Sequence, residues 1–171
     1  MSLAPTAALD RRFSDPEAGP TPWQDVADAL ERAELYWLTT VRADGRPHVT
    51  PLIGVADEGA MHFCTGPGEQ KYRNLEHAPR VALTTGTNTW AEGLDVVVEG
   101  TAVRISDDDV LQRVADAIEA KYGSFWHFDV VDGMFGGGGE NLAAVFRIEP
   151  DKVMAFAKDP HGQTTYRFGG D

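Results

Sequence analysis

The sequence predicts an α+β protein that is mainly β, an antiparallel β-barrel with helical caps. Three observations carry this. Six or seven short segments are rich in β-branched and aromatic residues. Most of them are joined by hairpin-length turn chemistry, and only two or three stretches switch to helical spacing. Strands and helices do not alternate regularly, which argues against a doubly wound parallel sheet. The 171 residues suit one ordinary domain.

Residues 1–20 carry three prolines, scattered charge and no apolar period, so they read as a flexible N-terminal arm ahead of a single domain over 21–171. Thr21-Pro22-Trp23-Gln24 has the form of a capped helix start, and Val26, Ala29, Leu30 and Ala33 follow at helical spacing. Leu35–Val41, His48–Val55 and Met61–Thr65 then read as a three-stranded meander, with Ala43-Asp44-Gly45 and Asp57-Glu58-Gly59 as its turns. Gly66-Pro67-Gly68 ends it. Lys71–His77 reads as a short helix stopped by Pro79, and Val81–Thr85 as a fourth strand.

Beyond the loop 86–93, Leu94–Ile105 is a long strand. Ser106 with Asp109 opens a helix whose stripe is Val110, Leu111, Val114, Ile118 and Tyr122, and Gly123 closes it. Residues 123–140, with four consecutive glycines, read as a flexible loop holding at most a helical turn. Leu142–Ile148 and Lys152–Ala157 read as two strands, and Thr164–Phe168 as an extended tail.

Apolar residues make up 42% and charged residues 25%, the balance of a globular protein. A single cysteine, Cys64, excludes an internal disulfide framework and a multi-cysteine metal site. No apolar run approaches the roughly 20 residues of a spanning helix, and the first residues lack a signal-type apolar core, so the expectation is a cytoplasmic protein away from membranes. Acidic residues number 27 against 15 basic, a net charge of −12 that disfavours nucleic acid. From 47 to 103 the lysines and arginines are Lys71, Arg73 and Arg80 alone.

Several motifs fail on spacing. Gly136–Gly139 is no dinucleotide fingerprint, and Gly66–Lys71 is no P-loop. The five histidines never pair at ligand spacing, so no metal is expected. Cys64 lies mid-strand and reads as a small core residue. What remains is the stretch 42–85. There, helix-start amides and the cations Lys71, Arg73 and Arg80 could form a phosphate site, unless Lys71 and Arg73 simply face solvent on an amphipathic helix.

Three motifs give this stretch a resemblance: Arg42-Ala43-Asp44-Gly45-Arg46-Pro47-His48-Val49-Thr50-Pro51, Phe63-Cys64-Thr65 through Lys71-Tyr72-Arg73-Asn74-Leu75, and Ala78-Pro79-Arg80-Val81-Ala82-Leu83. Together with Glu99-Gly100-Thr101-Ala102, they resemble the pyridoxamine-5′-phosphate oxidase-like, or flavin-reductase-like, split β-barrel family over roughly residues 25–168. The resemblance implies a homodimer holding a flavin or deazaflavin between subunits, with a small-molecule substrate. It implies that His48, Val49, Thr50 and Pro51 line the ring, and that Thr65, Gln70, Lys71 and Asn74, with Arg80, hold the phosphate and ribityl chain. Gln163 and Arg167, in the closing strand, would reach the partner's cofactor.

Departures refine this expectation. Where pyridoxamine-phosphate oxidases carry an arginine-rich strand this chain has Asp95-Val96-Val97-Val98, and it ends Arg167-Phe168-Gly169-Gly170-Asp171, so vitamin B6 oxidation is not expected. The segments 65–71, 87–100 and 163–168 are similar to the branch using the deazaflavin coenzyme F-420, which would put Trp90 near the cofactor. The resemblance thus implies an oxidoreductase passing a hydride between F-420, or next FMN, and a small organic acceptor. No side chain stands out as a catalytic acid or nucleophile. The alternatives are a carrier of the same cofactors and a non-catalytic dimeric barrel.

Overall fold

The computed structural model describes residues 5–136 and 141–168. In chain order the elements are β1 (Thr6–Leu9), α1 (Trp23–Arg32), β2 (Tyr36–Val41), β3 (Pro47–Leu52), β4 (Val55–Asp57), β5 (Ala60–Thr65), α2 (Gln70–Leu75) and β6 (Arg80–Thr85). There follow β7 (Leu94–Ile105), α3 (Asp108–Tyr122), β8 (Asp129–Val131), β9 (Met134–Gly136), β10 (Leu142–Lys158) and β11 (His161–Arg167). All pairings are antiparallel, in the order β1-β11-β10-β7-β6-β2-β3, with β5 joining β10 and carrying β4.

Strand β10 holds the barrel together because its two halves have different neighbours. β7 flanks Val145–Ala157 on one side, while β5 pairs Ala144–Ile148 and β11 pairs Lys152–Lys158 on the other. The sequence reading breaks this strand in two at Pro150. The structure instead runs it through as one, with the β7 register shifting between Pro150 and Lys152. A residue without an N–H is accommodated at such a bulge, which bends the strand without ending it.

The inner face buries Tyr36, Leu38, Phe63, Leu83, Val96, Val98, Phe146, Ile148 and Tyr166, capped by Val26 and Leu30 of α1. Strand alternation sends Val145 to the opposite face, where Leu111, Val114, Ala115 and Ile118 of α3 cover it. Among the described residues no ladder joins β3 to β4 or β5, so the barrel is split along that seam.

Several expectations need correction. The arm 1–20 is not free where it is described: β1 pairs with β11, and Asp10 and Asp15 N–H groups donate to the Gln163 and His161 carbonyls. Thr21 does not cap α1, whose N-cap is Pro22. Its N–H donates to Thr164 Oγ1 at 2.9 Å and its carbonyl accepts from the Tyr166 hydroxyl, while Gln24 donates to Asp28. Helix α3 is capped by Asp107, one residue later than expected, through its carboxylate and the Val110 N–H at 3.0 Å.

The described part of the expected loop, 123–136, is more regular than expected. After a 3-10 turn at Ser124–Trp126, Asp132 (φ 51°) and Gly133 (φ 69°) make a two-residue turn between β8 and β9. Asp-Gly supplies the positive φ pair that such a hairpin needs. Residues 137–140, with most of the glycine run, lie outside the described residues, as do 1–4 and 169–171.

Candidate cofactor-binding site

The site is built where the edge strand β3 faces α2 across β2. Alternation along β3 puts His48 and Thr50 on the inner face, opposite Thr40 and Leu38 of β2, and turns Pro47, Val49 and Pro51 outward. Thr40 and Asn74 are fully buried and linked. Gln70 Nε2 donates to Asn74 Oδ1 at 2.8 Å, Asn74 Nδ2 donates to Thr40 Oγ1 at 2.8 Å, and the Thr40 hydroxyl donates to the His48 carbonyl at 3.4 Å. This chain of bonds locks the short helix against the strand that carries His48.

Two polar atoms here lack partners. Among the described residues the buried side-chain atoms with no hydrogen bond are His48 Nδ1, Thr50 Oγ1 and His62 Nδ1. The first two are neighbours on the same face of β3. An orphaned buried donor or acceptor is costly unless a ligand or water completes it. His62 lies on β5, facing away from the inner-face residues Met61 and Phe63.

The surroundings of His48 are electropositive. Desolvation, and then the charges of Arg42 and Lys71, hold its imidazole below its ordinary pKa, so it is neutral at pH 7. Lys71 is not solvent-facing: its side chain is 10% exposed and its ammonium bonds the Glu69 carboxylate. The other Glu69 oxygen accepts from the Gly66 N–H at 2.8 Å and the Thr65 hydroxyl at 3.2 Å. Thr65, Gly66 and Lys71 thus form a three-donor anion cradle. It does not use the first-turn amides of α2.

The structure therefore brings together His48, Thr50, Thr65, Gln70, Lys71 and Asn74. Val49 and Pro51 lie on the opposite face of β3 from His48. Arg80 is turned to Asp151 and Thr101, and Trp90 is 94% exposed at the tip of loop 86–93. Gln163 and Arg167 lie on β11, five ladders from β3. Residues that the sequence reading left out are Thr40, Arg42 and Glu69. The inward alternation of β2 could have found Thr40; nothing in the sequence marks Glu69 as a partner of Thr65.

Other candidates carry less chemistry. A cavity of about 620 Å³ lies between the end of α1 and loop 86–93, but none of the residues selected from the sequence line it. Burial pushes the Cys64 thiol up to about 11, which makes it unreactive at neutral pH. Phe135 is buried and stacks on Phe128 at 4.9 Å, packing the 123–136 segment onto its own barrel. Among the described residues no group of three or more His, Cys, Asp or Glu is placed to hold a metal.

Comparison with known proteins agrees with this architecture. The family described as pyridoxamine 5′-phosphate oxidase matches residues 23–156, and the chain belongs to that family of split barrels. A curated relative, the pyridoxine/pyridoxamine 5′-phosphate oxidase of Rubrobacter xylanophilus, is 41% identical over 85 residues, covering 46% of this chain and 38% of that protein. The chain thus matches less than half of that relative's length. Among solved structures, a conserved hypothetical protein of Mycobacterium tuberculosis superposes with a TM-score of 0.67 at 18% identity, covering 88% of this chain and 90% of that one. A heme binding protein of Mycobacterium smegmatis gives 0.69 at 17% identity, over 87% of this chain and 59% of its own. At such identities these two likenesses concern the fold. Among the described residues no helix is long and apolar enough to cross a membrane.

Proposed function

We propose that the chain binds a flavin-type cofactor, coenzyme F-420 ahead of FMN, and acts as an oxidoreductase passing a hydride between that cofactor and a small organic acceptor. The observation that carries this reading is the pair of orphaned atoms, His48 Nδ1 and Thr50 Oγ1, on the face of β3 that Thr40 and Asn74 tie to α2. A flat heteroaromatic ring with carbonyl and N–H edges completes such atoms, and a phosphate suits the Thr65–Gly66–Lys71 cradle.

The bound cofactor supplies the hydride chemistry; the protein orients it, excludes water and tunes it. His48 and Thr50 hold the polar edge of the ring, and neutral His48 can donate or accept according to tautomer. Asn74, fixed by Gln70 and Thr40, positions the ribityl chain, and Lys71 anchors the phosphate. No residue is assigned to proton transfer.

The proposal includes a homodimer. Trp37, Val41 and Val49 are 47%, 37% and 54% exposed, and β2 and β3 present them on one outward face. Contiguous exposed apolar surface on a sheet marks an interface. A second copy on this face would cover Val49 and Pro51. The test is parallel titration of the protein with F-420 and FMN, following tryptophan fluorescence. Saturable quenching by either supports the reading, and none by both refutes it.

A further inference from the structure

We propose that Glu69 is a built-in occupant of the anion cradle and sets the affinity of this chain for phosphate-bearing cofactors, whose phosphate enters as Glu69 swings out. The inference rests on the flavin-type reading above and concerns a residue that reading does not use. Three donors from three consecutive pieces of chain, the end of β5, the glycine turn and α2, converge on the two oxygens of one carboxylate. Two adjacent oxygens bearing negative charge on one atom are also what a phosphate offers.

Burial shows which partner is fixed and which moves. Thr65 is 1% exposed and the Lys71 side chain 10%, whereas the Glu69 side chain is 50% exposed. Buried donors need an acceptor, and Glu69 provides one from within the chain while keeping an open path to solvent. Its departure costs α2 nothing in capping. Glu69 occupies the N-cap position, but its carboxylate makes no cap hydrogen bond and reaches back to Gly66 instead. The backbone bond from the Glu69 N–H to the Gly66 carbonyl at 3.0 Å keeps the turn closed without the side chain.

Partial burial pushes the Glu69 carboxyl upward, but the bonds from Lys71 and Gly66 outweigh it and hold it below the usual carboxylate range. Glu69 is therefore ionised at neutral pH. An incoming phosphate meets a like charge on its own donors, and like charges within a few ångströms exclude each other.

The experiment compares wild type, Glu69→Gln and Glu69→Ala in titrations with F-420 and FMN and with their phosphate-free counterparts, the deazaflavin–ribityl core and riboflavin. The Gly66 amide is followed by NMR during a parallel titration with inorganic phosphate. The proposal expects both variants to bind the phosphate-bearing forms at least about tenfold more tightly than wild type. The phosphate-free forms bind all three proteins alike, and phosphate shifts the Gly66 amide at lower concentration in the variants. Unchanged or weaker binding of the phosphate-bearing forms by both variants, or equal response of Gly66 in all three proteins, overturns it. If no ring compound binds any of the proteins while phosphate moves Gly66 only in the variants, the flavin reading falls and the role of Glu69 stands.

Discussion

Lys71 shows how much a single position can conceal. Its place in the motif gives a cation after a glycine turn, and spacing alone left it free to face solvent. The fold instead withdraws it from water and gives it a carboxylate. Lys71→Ala is therefore expected to weaken binding of the phosphate-bearing cofactor by about tenfold to a hundredfold, the weight of a charge-assisted hydrogen bond. Its unfolding midpoint should stay near that of wild type. An unchanged dissociation constant removes the anchoring role. The grouping of Lys71, Asn74 and His48, on one short helix and one strand, comes from the resemblance and not from spacing, which leaves Lys71 open to solvent. Glu69 was not legible, because an acidic residue beside Gln70 reads as solvated until Thr65 and Gly66 are seen to aim at it. The resemblance implies Arg80 as a further phosphate ligand, yet its register opposite Thr101 hands it to Asp151.

Among elements, the junction of α1, β2 and α3 predicts a pH dependence. Lys121 of α3 donates to the Tyr36 hydroxyl at 2.8 Å and to the Gly54 carbonyl at 3.1 Å, and Tyr36 donates on to the Leu30 carbonyl. Desolvation pulls the Lys121 ammonium down to about 8, against the opposing charges of Glu31 and Glu34. The unfolded chain then holds the extra proton between about pH 8 and the ordinary lysine value near 10.4. Stability from this group therefore rises with pH through that window. Cys64, pushed up to about 11, and Tyr36 and Tyr122, also raised, act in the other direction as their unfolded counterparts ionise. The readout is thus the difference between wild type and Lys121→Met in denaturant midpoints from pH 7.5 to 9.5. Wild type should gain on the variant as pH rises, and a constant difference contradicts the assignment.

The β7–β10 ladder gives a second prediction at this scale. A Cβ at Gly100 would overlap the Glu149 carbonyl beside the register shift. Gly100→Ala should cost about 1–3 kcal/mol in chemical denaturation, the range for an overpacked interior. Sequence periodicity located β7 to the residue, because β-branched residues on both sides of Gly100 carry the strand through it. It lost β8 and β9, whose three-residue runs are too short to show a period. It also lost β1, which is held by its ladder to β11 and not by any pattern of its own.

For the whole molecule, the exposed outer face of β2 and β3 predicts self-association. Trp37→Asp should yield a monomer by sedimentation where wild type is a dimer, with strand content unchanged, since Trp37 contributes nothing to the inner core. A wild-type monomer at micromolar concentration contradicts the dimer. The family and the barrel class were legible because turn chemistry and motif order constrain the chain over most of its length; the strand order was not, since the meander expected over 35–65 is broken between β3 and β4, and β5 pairs with β10 instead. Among the described residues of one copy nothing covers Val49, which is 54% exposed, so the homodimer that the resemblance implies rests on the sedimentation test. The central claim is that His48, Thr50, Lys71 and Asn74 form one cofactor site, and its most direct test is parallel titration of wild type and Asn74→Ala with F-420 and FMN. The account predicts saturable tryptophan quenching by wild type, tighter for F-420, and much weaker binding by the variant. Absence of binding by wild type, or equal binding by the two proteins, contradicts it.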